Sequence, residues 1–145
     1  MRKIAVFMMS LVLPPLLLLT GCEEEKMVKE SDFPEAIKSW TSTYFPDHPI
    51  LQVVRERDDF TVTWEVILAE GVYLEFDQEY HITDLSYAPG LPDSVIPEPI
   101  VEYVRTHFPQ QLIVEWELNK KSQEVSLKNG LELKFSSDGE FLKID

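Results

Sequence analysis

Glu124-Val125-Ser126-Leu127-Lys128-Asn129-Gly130-Leu131-Glu132-Leu133-Lys134-Phe135 reads as a hairpin with one apolar face. It has a twin in Glu65-Val66-Ile67-Leu68, Ala69-Glu70-Gly71 and Val72-Tyr73-Leu74-Glu75-Phe76. The register follows from requiring that core residues share a face. A two-residue turn at Asn129-Gly130 would set Leu127 opposite Glu132, and a slip of one residue turns over every side chain of a strand. A three-residue loop, Lys128-Asn129-Gly130, pairs Leu127 with Leu131 and Val125 with Leu133 instead. Such a loop wants a left-handed third residue, a conformation that glycine adopts without a Cβ clash. In the twin, the loop Ala69-Glu70-Gly71 pairs Leu68 with Val72, Val66 with Leu74 and Trp64 with Phe76, so two independent stretches reach one solution.

The repetition runs outward from the hairpins. Tyr44-Phe45-Pro46 returns as His107-Phe108-Pro109, and Phe33-Pro34-Glu35-Ala36-Ile37 as Ile96-Pro97-Glu98-Pro99-Ile100. These blocks lie 63 residues apart and the hairpins 59, so one loop is shorter in the second copy. Phe33, Ile37, Trp40 and Tyr44 recur at helical spacing, with Asp32 and Glu35 fitting a capping box and Pro46 as the stop. A second helix is expected over roughly residues 97–108, with Asp93 or Ser94 as cap and Pro109 beyond it. After each helix the period becomes two. Phe60, Val62, Trp64, Val66 and Leu68 in one copy, and Leu112, Val114, Trp116 and Leu118 in the other, are expected on buried faces. Last strands are expected over His81 to Ser86 and Glu140 to Ile144, the latter after an Asp138-Gly139 turn.

The resulting expectation is an α+β fold: two tandem copies of one helix plus a four-stranded antiparallel sheet, residues 32–90 and 91–145, forming a joint sheet with the helices on one face. A copy of about 55–59 residues is near the lower limit for a sufficient core, which favours a shared one.

The N-terminus gives an address. Arg2-Lys3 precede an apolar run, Ile4 to Leu19, broken by Pro14-Pro15 and ending in Leu19-Thr20-Gly21-Cys22. It is too short and too interrupted for a membrane span and reads as a secretory signal, residues 1–21. Its ending resembles the lipobox of bacterial lipoproteins, in which the cysteine is acylated and becomes the new N-terminus, so Cys22 is the expected lipidation residue. Residues 22–31, with Glu23-Glu24-Glu25-Lys26, are expected to be an acidic flexible tether. An acidic run behind a lipidated cysteine also resembles the surface-export signal of Bacteroidetes-type lipoproteins. The expected location is the bacterial outer membrane or cell surface, with a periplasm-facing anchor left open.

The chain carries 13 basic and 26 acidic side chains. Removal of residues 1–21 takes Arg2 and Lys3 and leaves a formal net charge of -15. That balance repels nucleic acid and offers no basic patch to anionic lipids. Cys22 is the only cysteine, so acylation leaves no thiol for disulfides, catalysis or metal ligation.

The pattern of Leu91-Pro92, a Pro-started helix ending in His107-Phe108-Pro109, an alternating strand, Glu124 to Phe135 and a terminal Asp138-Gly139-Glu140-Phe141-Leu142-Lys143-Ile144-Asp145 resembles the PepSY-like, beta-lactamase-inhibitor-like family of secreted bacterial proteins. The likeness covers residues 32–145. The first copy departs at Asp77-Gln78-Glu79-Tyr80-His81, which lacks the glycine turn. The resemblance implies a tandem helix-plus-sheet fold with a protein-binding or inhibitory role, and it brings no catalytic residues.

A search for chemistry agrees. His48, His81 and His107 stand in unrelated contexts without a zinc spacing. No nucleophile elbow or phosphate loop accompanies the serines. Asp58-Asp59 and Asp138 with Glu140 read as solvated turns and lack the spacing of a calcium loop. No catalytic residue, metal or cofactor is therefore expected. What remains is recognition through the sheet face opposite the helices, where Glu65, Tyr73, Glu75, Glu115, Glu117, Glu124 and Glu132 are expected, with Thr63, Ile67 and Lys134 among them. Carboxylates steer a basic partner and a tyrosine anchors it. The expected function is a lipid-anchored envelope module binding an envelope or extracellular protein. The alternative is a small-ligand binder with a pocket lined by Trp40, Trp64 and Trp116 between sheet and helices; an envelope hydrolase is the third.

Overall fold

A computed structural model describes residues 24–145; the expected signal sequence, residues 1–21, and the expected lipidation residue Cys22 lie outside the described residues. Among the described residues, nine antiparallel strands make one sheet whose spatial order is the chain order. They are β1 (Glu24–Met27), β2 (Ile50–Arg57), β3 (Val62–Leu68), β4 (Val72–Phe76), β5 (Ile82–Ser86), β6 (Ile113–Leu118), β7 (Ser122–Leu127), β8 (Glu132–Ser136) and β9 (Phe141–Ile144). Helix α1 (Glu35–Tyr44) lies between β1 and β2 in the chain, and α2 (Glu98–His107) between β5 and β6.

This corrects the expectation of a four-stranded sheet in each repeat. Strands β5 and β6 pair across the junction through Asp84↔Glu117, Leu85↔Trp116 and Ser86↔Glu115, and β1 adds a ninth strand at the edge. Two separate sheets would each leave rows of backbone N–H and C=O groups unpaired at their edges; joining them satisfies these groups and lets one core run under both repeats. The α+β description fits in part, with the sheet far outweighing the helices.

The difference between the offsets of 63 and 59 lies in one hairpin. Val53 opposes Val66, whereas Trp116 opposes Val125, and beyond these pairs the β2–β3 hairpin runs two residues further per strand. The N-terminal segment pairs along that extension: Glu24↔Arg57, Glu25↔Glu56, Lys26↔Arg55 and Met27↔Val54. The expected flexible tether is thus corrected over Glu24–Met27. A charge run describes side chains, while a sheet edge recruits backbone, which any sequence supplies.

The helices begin differently from expectation. Pro34 and Pro97 occupy the N-cap positions and no side chain caps either helix, so the capping box of Asp32 with Glu35 does not form, and Asp93 instead pairs with Arg105 at 2.9 Å. Both helices end alike, at Phe45 (φ -134°, ψ 57°) and Phe108 (φ -133°, ψ 56°). The repeat reaches even the irregularities of the sheet. Bulges fall at Leu51 and Val114, and at Thr83 and Leu142. A bulge adds one unpaired residue and resets the alternation. Ile113 is therefore buried and Leu112 exposed, correcting its expected burial; Leu118 shares the face of Trp116 but ends β6 and is also exposed, and Phe60 lies in the turn beyond β2 and is 92% exposed.

The hairpin registers match the sequence reading: Leu68↔Val72, Val66↔Leu74, Trp64↔Phe76 and Val125↔Leu133, with the Leu127 N–H donating to Leu131 O at 2.8 Å. Gly71 (φ 81°) and Gly130 (φ 87°) are the left-handed third residues. Where the second copy uses Gly139 (φ 85°), the first uses Tyr80 at φ 65°, and the tyrosine ring packs on Trp64 at 5.6 Å. The core is one cluster beneath the helices. At its two centres Trp40 meets Phe76 edge-on and Tyr103 meets Phe135 edge-on, each at 5.5 Å.

Candidate functional site

Alternation along each strand sends Val66, Leu74, Leu85, Trp116, Val125 and Leu133 into the core. Their neighbours Glu65, Tyr73, Glu75, Glu115, Glu117, Glu124 and Glu132 therefore project from the opposite, open face. All seven candidate residues share this face. The register then adds what no single strand specifies. Glu65, Glu75, Asp84, Glu117 and Glu124 stand directly opposite one another on five adjacent strands, from β3 to β7. Lys134 and Lys143 continue the row on β8 and β9. A second row runs Ile67, Tyr73, Ser86, Glu115, Ser126, Glu132.

Like charges directly opposite on neighbouring strands oppose pairing. Local hydrogen bonds hold the side chains in place. Tyr73 Oη donates to Glu65 Oε1 at 3.3 Å, Thr83 Oγ1 to Glu75 Oε1 at 3.1 Å and Ser126 Oγ to Glu115 Oε2 at 3.2 Å. Lys134 Nζ donates to Glu124 Oε1 at 2.6 Å and offsets charge at one end. Asp84, at the seam between the repeats, shows the accumulated field. Partial burial, then Glu115, Glu117 and Glu75, push its carboxyl up to about 6. Burial, then Glu65 and Glu75, hold the Tyr73 phenol well above its ordinary range. Asp84 is absent from the sequence-derived set. Alternation against Leu85 was the available signal for its face, but the β5–β6 pairing that seats it between Glu75 and Glu117 has no local signature.

Over the carboxylate row the concavity is slight, a dip of about 90 Å³ bordered by Glu115, Glu117, Glu124 and Glu132; a wider, acid-lined hollow of about 430 Å³, bordered by Glu25, Glu56, Arg57, Asp58 and Thr63, lies beside the row at the tip of the β2–β3 hairpin. Small-molecule sites are deeper and more apolar. The tryptophans expected to line a pocket are used in packing. Trp40 contacts Tyr44, Phe45 and Phe76, and Trp116 Nε1 donates to the buried Gln123 Oε1 at 2.9 Å.

The histidines stay apart. His48 Nε2 lies 3.3 Å from Tyr87 Oη and 3.4 Å from Glu70 Oε2, and His107 stacks on Tyr103 at 4.0 Å. His81 joins Asp77 and Glu79, whose ligand-type atoms fall within 4.8 Å of one another. That grouping follows from the turn: Asp77 Oδ1 accepts the N–H groups of Glu79 and His81, both at 2.9 Å. Ser136 Oγ plays the same part in the second copy, accepting the Glu140 N–H at 3.1 Å.

A family model described as beta-lactamase-inhibitor-like and PepSY-like matches the chain twice, over residues 20–84 and 63–143. Several solved structures share the fold. A periplasmic protein of Bacteroides vulgatus is 30% identical, with 86% of this chain and 99% of that one covered and a TM-score of 0.79. A Bacteroides thetaiotaomicron protein described as calcium-regulated and periplasmic is 28% identical, with 83% and 96% covered and a TM-score of 0.78. A further periplasmic protein of Bacteroides vulgatus, of unknown function, is 27% identical, with 84% and 99% covered and a TM-score of 0.78. No curated protein matches the chain.

Proposed function

Because the chain belongs to the PepSY-like, beta-lactamase-inhibitor-like family, we propose that it is a non-catalytic, lipid-anchored module of the bacterial cell envelope that binds a basic protein through the open face of its sheet. The observation that carries this reading is the row of five adjacent carboxylates, Glu65 to Glu124, on an exposed face that is nearly flat where the row crosses it. Such a row opposes strand pairing, whereas a cationic surface laid over it gains Coulomb energy and is steered towards it. Tyr73 supplies an amphipathic ring within the same area. The envelope address is supported by three relatives described as periplasmic and by the Leu19-Thr20-Gly21-Cys22 ending, with Cys22 as the acylated residue. Among the described residues no helix is long and apolar enough to cross a membrane.

The test is capture of envelope proteins by the soluble chain starting at Glu23, compared with a Glu75→Lys, Glu132→Lys double variant of confirmed fold. We expect a protein retained by the first and lost from the second. Retention that survives both reversals, or retention of nothing by either form, refutes the reading.

A further inference from the structure

The lipid anchor and the β2–β3 hairpin converge on one point. We propose that the tip of this hairpin rests on the bilayer that holds the lipid on Cys22, with the ring of Phe60 entering the headgroup boundary of a zwitterionic lipid surface. The inference rests on the acylation of Cys22 proposed above.

The first argument is chain length. Strand β1 runs antiparallel to β2 with Glu24 opposite Arg57, the last residue of β2. Cys22 precedes Glu24 by two residues, and two residues span at most about 7 Å. The acyl chains are therefore tied close to the root of the turn that carries Phe60.

The second argument is the build of that turn. Phe60 is 92% exposed, yet its backbone is held: Asp58 Oδ1 accepts the N–H groups of Phe60 at 2.8 Å and Thr61 at 2.7 Å, and the Asp58 N–H donates to Thr61 O at 3.1 Å. A large apolar ring on an ordered turn, facing away from the core, is arranged to be covered by something outside the chain. The hairpin also outreaches its counterpart by two residues per strand, about 7 Å at the rise of a β-strand. In the second copy the turn between β6 and β7 is Asn119-Lys120-Lys121, with no apolar residue. The projecting aromatic thus occurs in the repeat that carries the anchor.

Charge selects the type of surface. Glu24, Glu25, Asp58 and Asp59 surround the tip against Arg55 and Arg57, so anionic lipid is not attracted. Contact comes instead from apolar insertion of the ring, made frequent by a short covalent tether that keeps the effective concentration of membrane high.

The experiment uses the full chain, processed in a bacterial host and reconstituted into vesicles of phosphatidylethanolamine and phosphatidylcholine. Phe60→Trp is compared with Asn129→Trp, in the exposed loop at the other end of the strands, using brominated phosphatidylcholine as quencher and subtracting the signal of the unsubstituted chain. We expect at least twofold stronger quenching and a blue-shifted emission at position 60. Equal quenching at the two positions, with acylation of Cys22 confirmed by mass spectrometry of the same sample, overturns this inference alone. An unacylated Cys22 overturns both it and the anchor on which it rests.

Discussion

Replacing Phe76 or Phe135 with alanine lowers the stability of the whole chain by about 3–5 kcal/mol, the range for deleting a buried aromatic ring, and does so within a single unfolding transition. The two rings are repeat equivalents, both fully buried, and each receives an edge-on aromatic from its own helix at 5.5 Å. Neither can be shaved without leaving a cavity, because β-strand neighbours fix the backbone around it: Phe76 lies opposite Trp64 and Ile82, and Phe135 opposite Gln123 and Phe141. Domains of this size have total stabilities of about 5–15 kcal/mol, so either loss is large. The single transition is the more telling half. One core cluster and the β5–β6 ladder join the repeats, so a cavity under β4 weakens β8 as well. Calorimetry and circular dichroism on both variants check this. Two transitions, with only the substituted half displaced, would refute the shared core.

The sequence disclosed those elements whose cause is local. Gly71 and Gly130, each closing a three-residue loop between alternating strands, dictated the hairpin registers, and the structure has the same pairs. The helices followed from spacing and flanking prolines, within two residues at each end. Elements decided by tertiary pairing were not legible. Glu24-Glu25-Lys26-Met27 has no alternating pattern, and becomes a strand because the lengthened β2 leaves an edge for it. Leu112 reads as inward because the bulge at Val114 cannot be seen in alternation that continues through it, and Leu118 because alternation does not show that the core stops short of the end of β6. Gln123, polar by type, is buried because it accepts from Trp116 and donates to Ser137 O at 3.0 Å. On the open face the same division holds. Alternation placed the seven candidate residues and the hairpin register set Glu65 opposite Glu75, but the pairing of Asp84 with Glu117, which joins the two halves into one row, came from the junction between repeats.

Asp84 makes the last expectation quantitative. Partial burial and then the neighbouring carboxylates push its carboxyl up to about 6 in the folded chain, against about 3.9 when unfolded. Between these values the folded state holds a proton that the unfolded state has released. Stability from this group therefore falls as pH rises from about 4 to about 6, and stays lower above that. A shift of about two units corresponds to about 3 kcal/mol; because the side chain is only half-buried, solvent screening reduces this to about 1–2 kcal/mol. Asp84→Asn removes the penalty, so the variant is more stable than the parent at pH 7–8, by several degrees in Tm, and the advantage shrinks towards pH 4. Thermal melts of both chains across pH 4–8 measure it; a variant equal to the parent at pH 7–8 contradicts the crowded-carboxylate account. The same linkage bears on binding. A basic partner over Glu75, Asp84 and Glu117 favours the ionised carboxyl, so binding strengthens the charge that folding alone opposes. Its affinity is expected to fall as pH drops through about 6 in the parent, and to lose that component in Asp84→Asn.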